Sequence, residues 1–158
     1  MRVRLLHVPA LIAITAMSPL AADNSLGTWK RNTEKSKYIP MPPNPFKSQT
    51  MIRAASGDGV KVTSKGQRAD GTPVETTYTL RYDGKPVSVT GKGSQFDTIS
   101  MKQVDENTFT SETRKTGGKY HTTGKTVISK DGKTMTNTSK GTDSDGKPVS
   151  FTIVYDKQ

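Results

Sequence analysis

Asp-Gly pairs recur along the chain, each leading into an apolar or β-branched run, and this punctuation constrains the fold more than any other feature. Asp-Gly-Lys-Pro-Val-Ser occurs twice, at Asp83–Ser88 and Asp145–Ser150, with looser copies at 57–60, 70–74 and 131–135. Asp-Gly between alternating runs is hairpin chemistry. Both central residues of a type I′ turn need positive φ, which Gly adopts freely and Asp tolerates. The Pro that follows has no N–H to give to a ladder, so it suits the first residue of a strand. The runs between the turns alternate. Val74, Thr76, Tyr78, Leu80 and Tyr82 face one way, and Glu75, Thr77, Thr79 and Arg81 the other. Near the C-terminus Val149, Phe151, Ile153 and Tyr155 share one face. Beyond residue 22 only Leu26 and Leu80 remain as leucines, against 22 threonines, a balance that favours pleated sheet over helix.

The turn signals delimit about ten strands, near 27–32, 49–55, 60–67, 74–82, 86–91, 97–104, 108–115, 119–129, 133–140 and 148–156. Their connections are short and local after the second strand, the order of an antiparallel up-and-down meander. Such a chain is expected to be all-β and to close into a single barrel, which leaves no strand edge unpaired; a two-sheet β-sandwich is the alternative. One segment breaks the rhythm. Residues 35–47 carry Pro40, Pro42, Pro43 and Pro45, a density that excludes helix and central strand and predicts an extended loop. Tyr38, Ile39, Met41 and Phe46 in that segment are too apolar to face water, so they are expected at the rim of the barrel.

The first 22 residues differ from the rest. Met1-Arg2-Val3-Arg4 supplies a positive start, Leu5 to Ala16 an apolar run, and Ala21-Ala22 small residues before a cleavage point. This is the pattern of a secretory signal peptide, too short to span a membrane. The expected layout is therefore a signal peptide over 1–22, one barrel domain over 23–158, and export to the periplasm or the medium with no transmembrane segment in the mature chain. The absence of Cys excludes disulfides, thiol catalysis and lipid attachment through cysteine. Without Arg2 and Arg4, 22 basic residues stand against 14 acidic ones, a net charge of +8. That surplus favours an anionic surface or polymer as partner. The basic residues are scattered among Thr, Ser and Gly, however, and nucleic acid is not expected.

Catalysis finds no constellation. His7 lies in the signal segment, which leaves His121 as the one imidazole, and without Cys a zinc site cannot be assembled. There is no Gly-x-Ser-x-Gly elbow. Glu75, Glu106 and Glu112 fall on outward phases or turns, and Gly91-Lys92-Gly93-Ser94 lacks the spacing of a phosphate loop. Asp143-Ser144-Asp145-Gly146 resembles part of a calcium loop but lacks its third early ligand and its closing bidentate Glu. The chain is expected to be non-enzymatic, with no catalytic residue, metal or cofactor.

Gly27-Thr28-Trp29-Lys30 opens the first strand, Lys130-Asp131-Gly132-Lys133 makes a late hairpin, and Tyr155-Asp156-Lys157 lies at the end. In these places the chain resembles the calycin superfamily, and within it the lipocalins and the intracellular fatty-acid-binding proteins. It is also similar to small exported bacterial proteins that begin with the same Gly-Thr-Trp-Lys. The resemblance implies a ten-stranded barrel whose last strand closes on the first, with Trp29 packed across the closed end. The carboxylate clamp of the fatty-acid-binding proteins does not carry over. Its two arginine positions fall on Ile153 and Val127, Tyr155 alone survives, and the Pro-rich segment stands where those proteins have a helical lid.

Several inward faces mix apolar and polar residues. Ile99 and Met101 share a face with Asp97 and Gln103, Phe109 with Ser111 and Thr113, and Met135 with Asn137 and Ser139. Buried polar groups need partners, and water in a cavity supplies them, so a wet, partly polar interior is expected. These readings converge on a binding protein that holds a small apolar or amphipathic molecule inside the barrel. The expected lining is Tyr78, Leu80, Tyr82, Ile99, Met101, Phe109, Phe151, Ile153 and Tyr155, with Tyr38 and Phe46 at the rim. The alternative is a basic envelope protein that binds anionic polymer or another protein through its exterior.

Overall fold

Eleven strands form in chain order: β1 Gly27–Ile39, β2 Phe46–Ser56, β3 Gly59–Arg68, β4 Pro73–Leu80, β5 Val87–Ser88, β6 Thr90–Lys92, β7 Thr98–Asp105, β8 Thr108–Arg114, β9 His121–Ile128, β10 Thr134–Thr142 and β11 Pro148–Lys157. The computed structural model describes residues 23–40 and 45–158, so the signal segment expected over 1–22 and Met41 lie outside it. Among the described residues there is no helix.

All strands belong to one antiparallel sheet, in the order β5-β7-β8-β9-β10-β11-β1-β2-β3-β4-β6. This is the up-and-down barrel rather than the sandwich. The last strand pairs with the first, Tyr155 opposite Arg31 and Phe151 opposite Tyr38. The two ends of the order, β5 and β6, are neighbouring pieces of one segment. Val87 and Ser88 pair with Ile99 and Thr98 on β7. Thr90, Gly91 and Lys92 pair with Thr77, Thr76 and Glu75 on β4. A single short segment therefore seals the barrel by changing partners halfway along.

The turns do their expected work with different chemistry. Gly71, Gly84, Gly132 and Gly146 have positive φ, between 68° and 87°, but the aspartates before them do not, so these are not type I′ turns. Instead the carboxylate folds back: Asp70, Asp83 and Asp131 accept hydrogen bonds from the backbone N–H of Thr72, Lys85 and Lys133. Around Gly71, Gly132 and Gly146 a turn closes on the glycine, whose N–H donates to Arg68, Ser129 and Asp143 respectively. That is the longer hairpin in which a left-handed Gly ends the turn.

β1 also departs from expectation. It continues through Ile39, and β2 begins at Phe46, so residues 35–39 and 46–47 of the expected loop are strand. Its pairing with β11 is broken between Asn32 and Lys37. Within this bulge Ser36 Oγ donates to Asn32 O at 2.6 Å and accepts from Val154 N at 3.1 Å, which satisfies backbone groups the ladder has lost.

One end of the barrel is solid. Trp29, Val62, Leu80, Phe109 and Ile128 are at most 2% exposed there. The turn Asp23–Leu26 caps this end. Trp29 Nε1 donates to Ser25 O at 2.9 Å, and Ser25 Oγ bonds Tyr82 OH at 2.8 Å. The position that the calycin resemblance implies for Trp29 is the position observed.

Candidate functional site

Above the solid end the alternation of all strands but β5 and β6 directs side chains into a cavity of about 200 Å³. β1 contributes Arg31 and, beyond the bulge, Tyr38. They are seven positions apart, an odd offset that would put them on opposite faces of an unbroken strand. The bulge restores the phase, so both face inward. β2 adds Gln49, Met51 and Arg53, and β3 adds Ser64. Thr76 and Tyr78 come from β4, and Ile99 and Met101 from β7. The hydroxyl and amide wall is formed by Ser111, Thr113, Thr122, Thr126, Asn137 and Ser139. Of the polar residues expected inside, Ser111, Thr113, Asn137 and Ser139 reach the cavity. Asp97 and Gln103 do not: Asp97 turns to Lys115 and Thr116, and Gln103 is exposed.

Six residues of the expected lining, Tyr78, Ile99, Met101, Phe151, Ile153 and Tyr155, border this cavity, as do Tyr38 and Phe46. Leu80, Tyr82 and Phe109 do not. Leu80 and Phe109 are 1% exposed and fill the solid end. Tyr82 lies past the end of β4 with φ of 57°, its ring 4.8 Å from that of Phe109. Alternation identified the correct face for all three but not their depth along the barrel axis.

The end opposite Trp29 is ringed by aromatic pairs. Tyr38 packs on Phe151 at 5.7 Å between centroids, and Phe96 on Tyr120 at 6.1 Å. Phe46 lies between two guanidinium groups, Arg31 at 4.5 Å and Arg68 at 5.3 Å from its ring centre. Arg68 Nη2 also donates to Gly93 O at 2.7 Å.

The arginines are what the sequence reading missed. Arg31 and Arg53 are 5% and 4% exposed, and both border the cavity. Arg31 Nη1 donates to Gln49 Oε1 at 2.7 Å; the same oxygen accepts from Tyr155 OH at 3.1 Å, and Gln49 Nε2 donates to Ser64 Oγ at 2.8 Å. Arg53 Nη2 donates to Tyr82 OH at 2.5 Å. Among the described residues, Arg31 Nε and Nη2 and Arg53 Nε have no hydrogen-bond partner, and no carboxylate borders the cavity. Burial lowers the Arg31 pKa from its ordinary value, partly offset by the Tyr155 phenol. Burial likewise pushes Tyr78 up to about 12 and raises Tyr155, so both are protonated at neutral pH and present hydroxyls. The signal for the arginines was parity alone. Arg31 stands two residues after inward Trp29, and Arg53 two after inward Met51.

No protein-family model matches the chain, and no curated protein does. Among solved structures it is similar to EF1p2_mFAP2b bound to DFHBI, at 12% identity over 87% of this chain and 97% of that one, with a TM-score of 0.48. It is also similar to a redesigned β-barrel, mFAP1, bound to DFHBI, at 13% identity over 85% and 95%, with a TM-score of 0.37.

Proposed function

We propose that this protein is an exported, non-catalytic carrier that buries a small amphipathic molecule inside its barrel and releases it unchanged. One observation carries the reading: above a solid core the interior holds a cavity of about 200 Å³ whose wall combines apolar side chains with fixed hydroxyls and amides. That mixture is typical of ligand sites, where apolar surface supplies affinity and a few polar groups fix orientation. The volume falls below the roughly 300–1,000 Å³ of pockets for drug-sized ligands, so the ligand is compact. Binding consists of burial of its apolar body, with Tyr78 and Tyr155 as hydroxyl partners. Export rests on the sequence of residues 1–22.

A neutral fluorescent probe tests the cavity. Naphthol is expected to bind the mature chain, and filling the space with Ile153→Trp is expected to weaken it at least about tenfold, or 1.4 kcal/mol, with the fold intact by thermal unfolding. Equal binding by the two proteins would place the probe outside the barrel and remove the carrier reading.

A further inference from the structure

The interior carries positive charge with nothing on the protein to neutralise it. Arg31 and Arg53 both face the cavity, both are more than nine-tenths buried, and no Asp or Glu borders the space among the described residues. Every ion pair formed among those residues lies elsewhere, on exposed or half-exposed side chains. Burying a cation without a partner is costly, and proteins avoid it unless something else supplies the opposite charge.

The free atoms define the shape of that missing partner. In a guanidinium, Nε and Nη2 lie on one edge and point their hydrogens the same way. In Arg31 this edge is the one left without a hydrogen-bond partner, while the far nitrogen, Nη1, is fixed on Gln49. The Gln49 amide is itself held by Ser64 and Tyr155, and the rings of Tyr38 and Phe46 flank the guanidinium at 5.5 and 4.5 Å from their centres. Arg31 is therefore held in one orientation, with two parallel donors that no protein group meets. Two parallel donors in one plane match the two oxygens of a carboxylate. Arg53 leaves its Nε without a partner while its Nη2 is taken by Tyr82, and it adds a second buried positive charge.

Building on the carrier reading, we infer that the ligand is a compact organic acid whose carboxylate is gripped side-on by the Nε–Nη2 edge of Arg31. Its apolar body lies against Met51, Ile99, Met101 and Met135, which border the same cavity.

Calorimetric titration of the mature chain with naphthoate, naphthamide and naphthalenesulfonate tests this. Naphthoate is expected to bind at least about tenfold more tightly than its neutral amide isostere, the return on charge-assisted hydrogen bonds, and more tightly than the sulfonate. Arg31→Met is expected to weaken naphthoate at least about tenfold and naphthamide by less, so that the difference between them disappears. Arg31→Lys, which keeps the charge and loses the fork, is expected to fall between. Arg31→Met is also expected to raise the melting temperature of the ligand-free protein, because an unpaired buried charge has gone. Equal affinity for acid and amide, a preference for sulfonate, or a lowered melting temperature in Arg31→Met would each overturn the inference while leaving a carrier. Failure of the wild-type chain to bind any of the three would overturn the carrier reading with it.

Discussion

Tyr78 and Arg31 show how burial turns ordinary side chains into specific ones. A phenol surrounded by protein resists ionisation because its anion has lost its water, and Tyr78 is pushed from 10.0 up to about 12. In the unfolded chain it ionises near its ordinary value, so between pH 10 and about 12 the unfolded state has released a proton that the folded state retains. Stability contributed by this group is therefore constant below pH 10 and falls as pH rises toward about 12. Urea unfolding followed across that range is expected to show the loss, and Tyr78→Phe to flatten it in part, since Tyr155 is raised by the same cause. A tyrosinate absorbance titration in which all five tyrosines ionise near the ordinary value would contradict the buried placement. Arg31 was legible only in retrospect. An arginine in an alternating strand is ordinarily counted to the wet face, and the residue that betrayed it was Trp29, two positions earlier on the same phase.

At the level of elements, the sequence made the meander readable, since each Asp-Gly pair marks a chain reversal and each alternating run a strand. The devices that join the strands into a barrel were not readable, because they depend on long-range register. The β1 bulge is one. Ser36 substitutes for a ladder partner of Val154, 118 residues away, and brings Tyr38 back to the inward face. Ser36→Ala leaves that amide buried and unpaired, with an expected cost of about 1–3 kcal/mol in urea unfolding. The sealing segment is the other. At Gly91 φ is +122°, and a Cβ there would lie 2.0 Å from Glu75 O. Gly91→Ala must push β6 off β4, and is expected to cost at least about 1–3 kcal/mol and to loosen hydrogen-exchange protection at 90–92 before elsewhere. Unchanged stability in both variants would mean that closure does not depend on these two features.

Across the whole molecule, two materials are stacked along one axis: a solid apolar plug under Trp29 and a partly polar chamber above it. The plug accounts for folding, and the chamber, bordered by Arg31, Arg53 and Arg68 and by no carboxylate among the described residues, departs from what stability alone would select. Alternation could not separate the two, because it reports which face a residue occupies and not its height in the barrel. That is why Leu80 and Phe109, inward like Tyr78 and Ile153, belong to the plug. The division also explains how a chain of scattered basic residues keeps a charged interior: outward cations such as Lys65 and Arg81 meet exposed carboxylates, and among the described residues Arg31 and Arg53 are the buried ones.

The central claim is that the chamber is occupied in the cell, and native mass spectrometry of the protein purified from the cells that make it tests it most directly. The denatured chain is expected to have the mass of residues 23–158, and the native protein a larger one, by the mass of a single small acid that Arg31→Met no longer retains. A native mass equal to that of the bare chain, in a protein shown to bind naphthoate in the same buffer, would contradict the account.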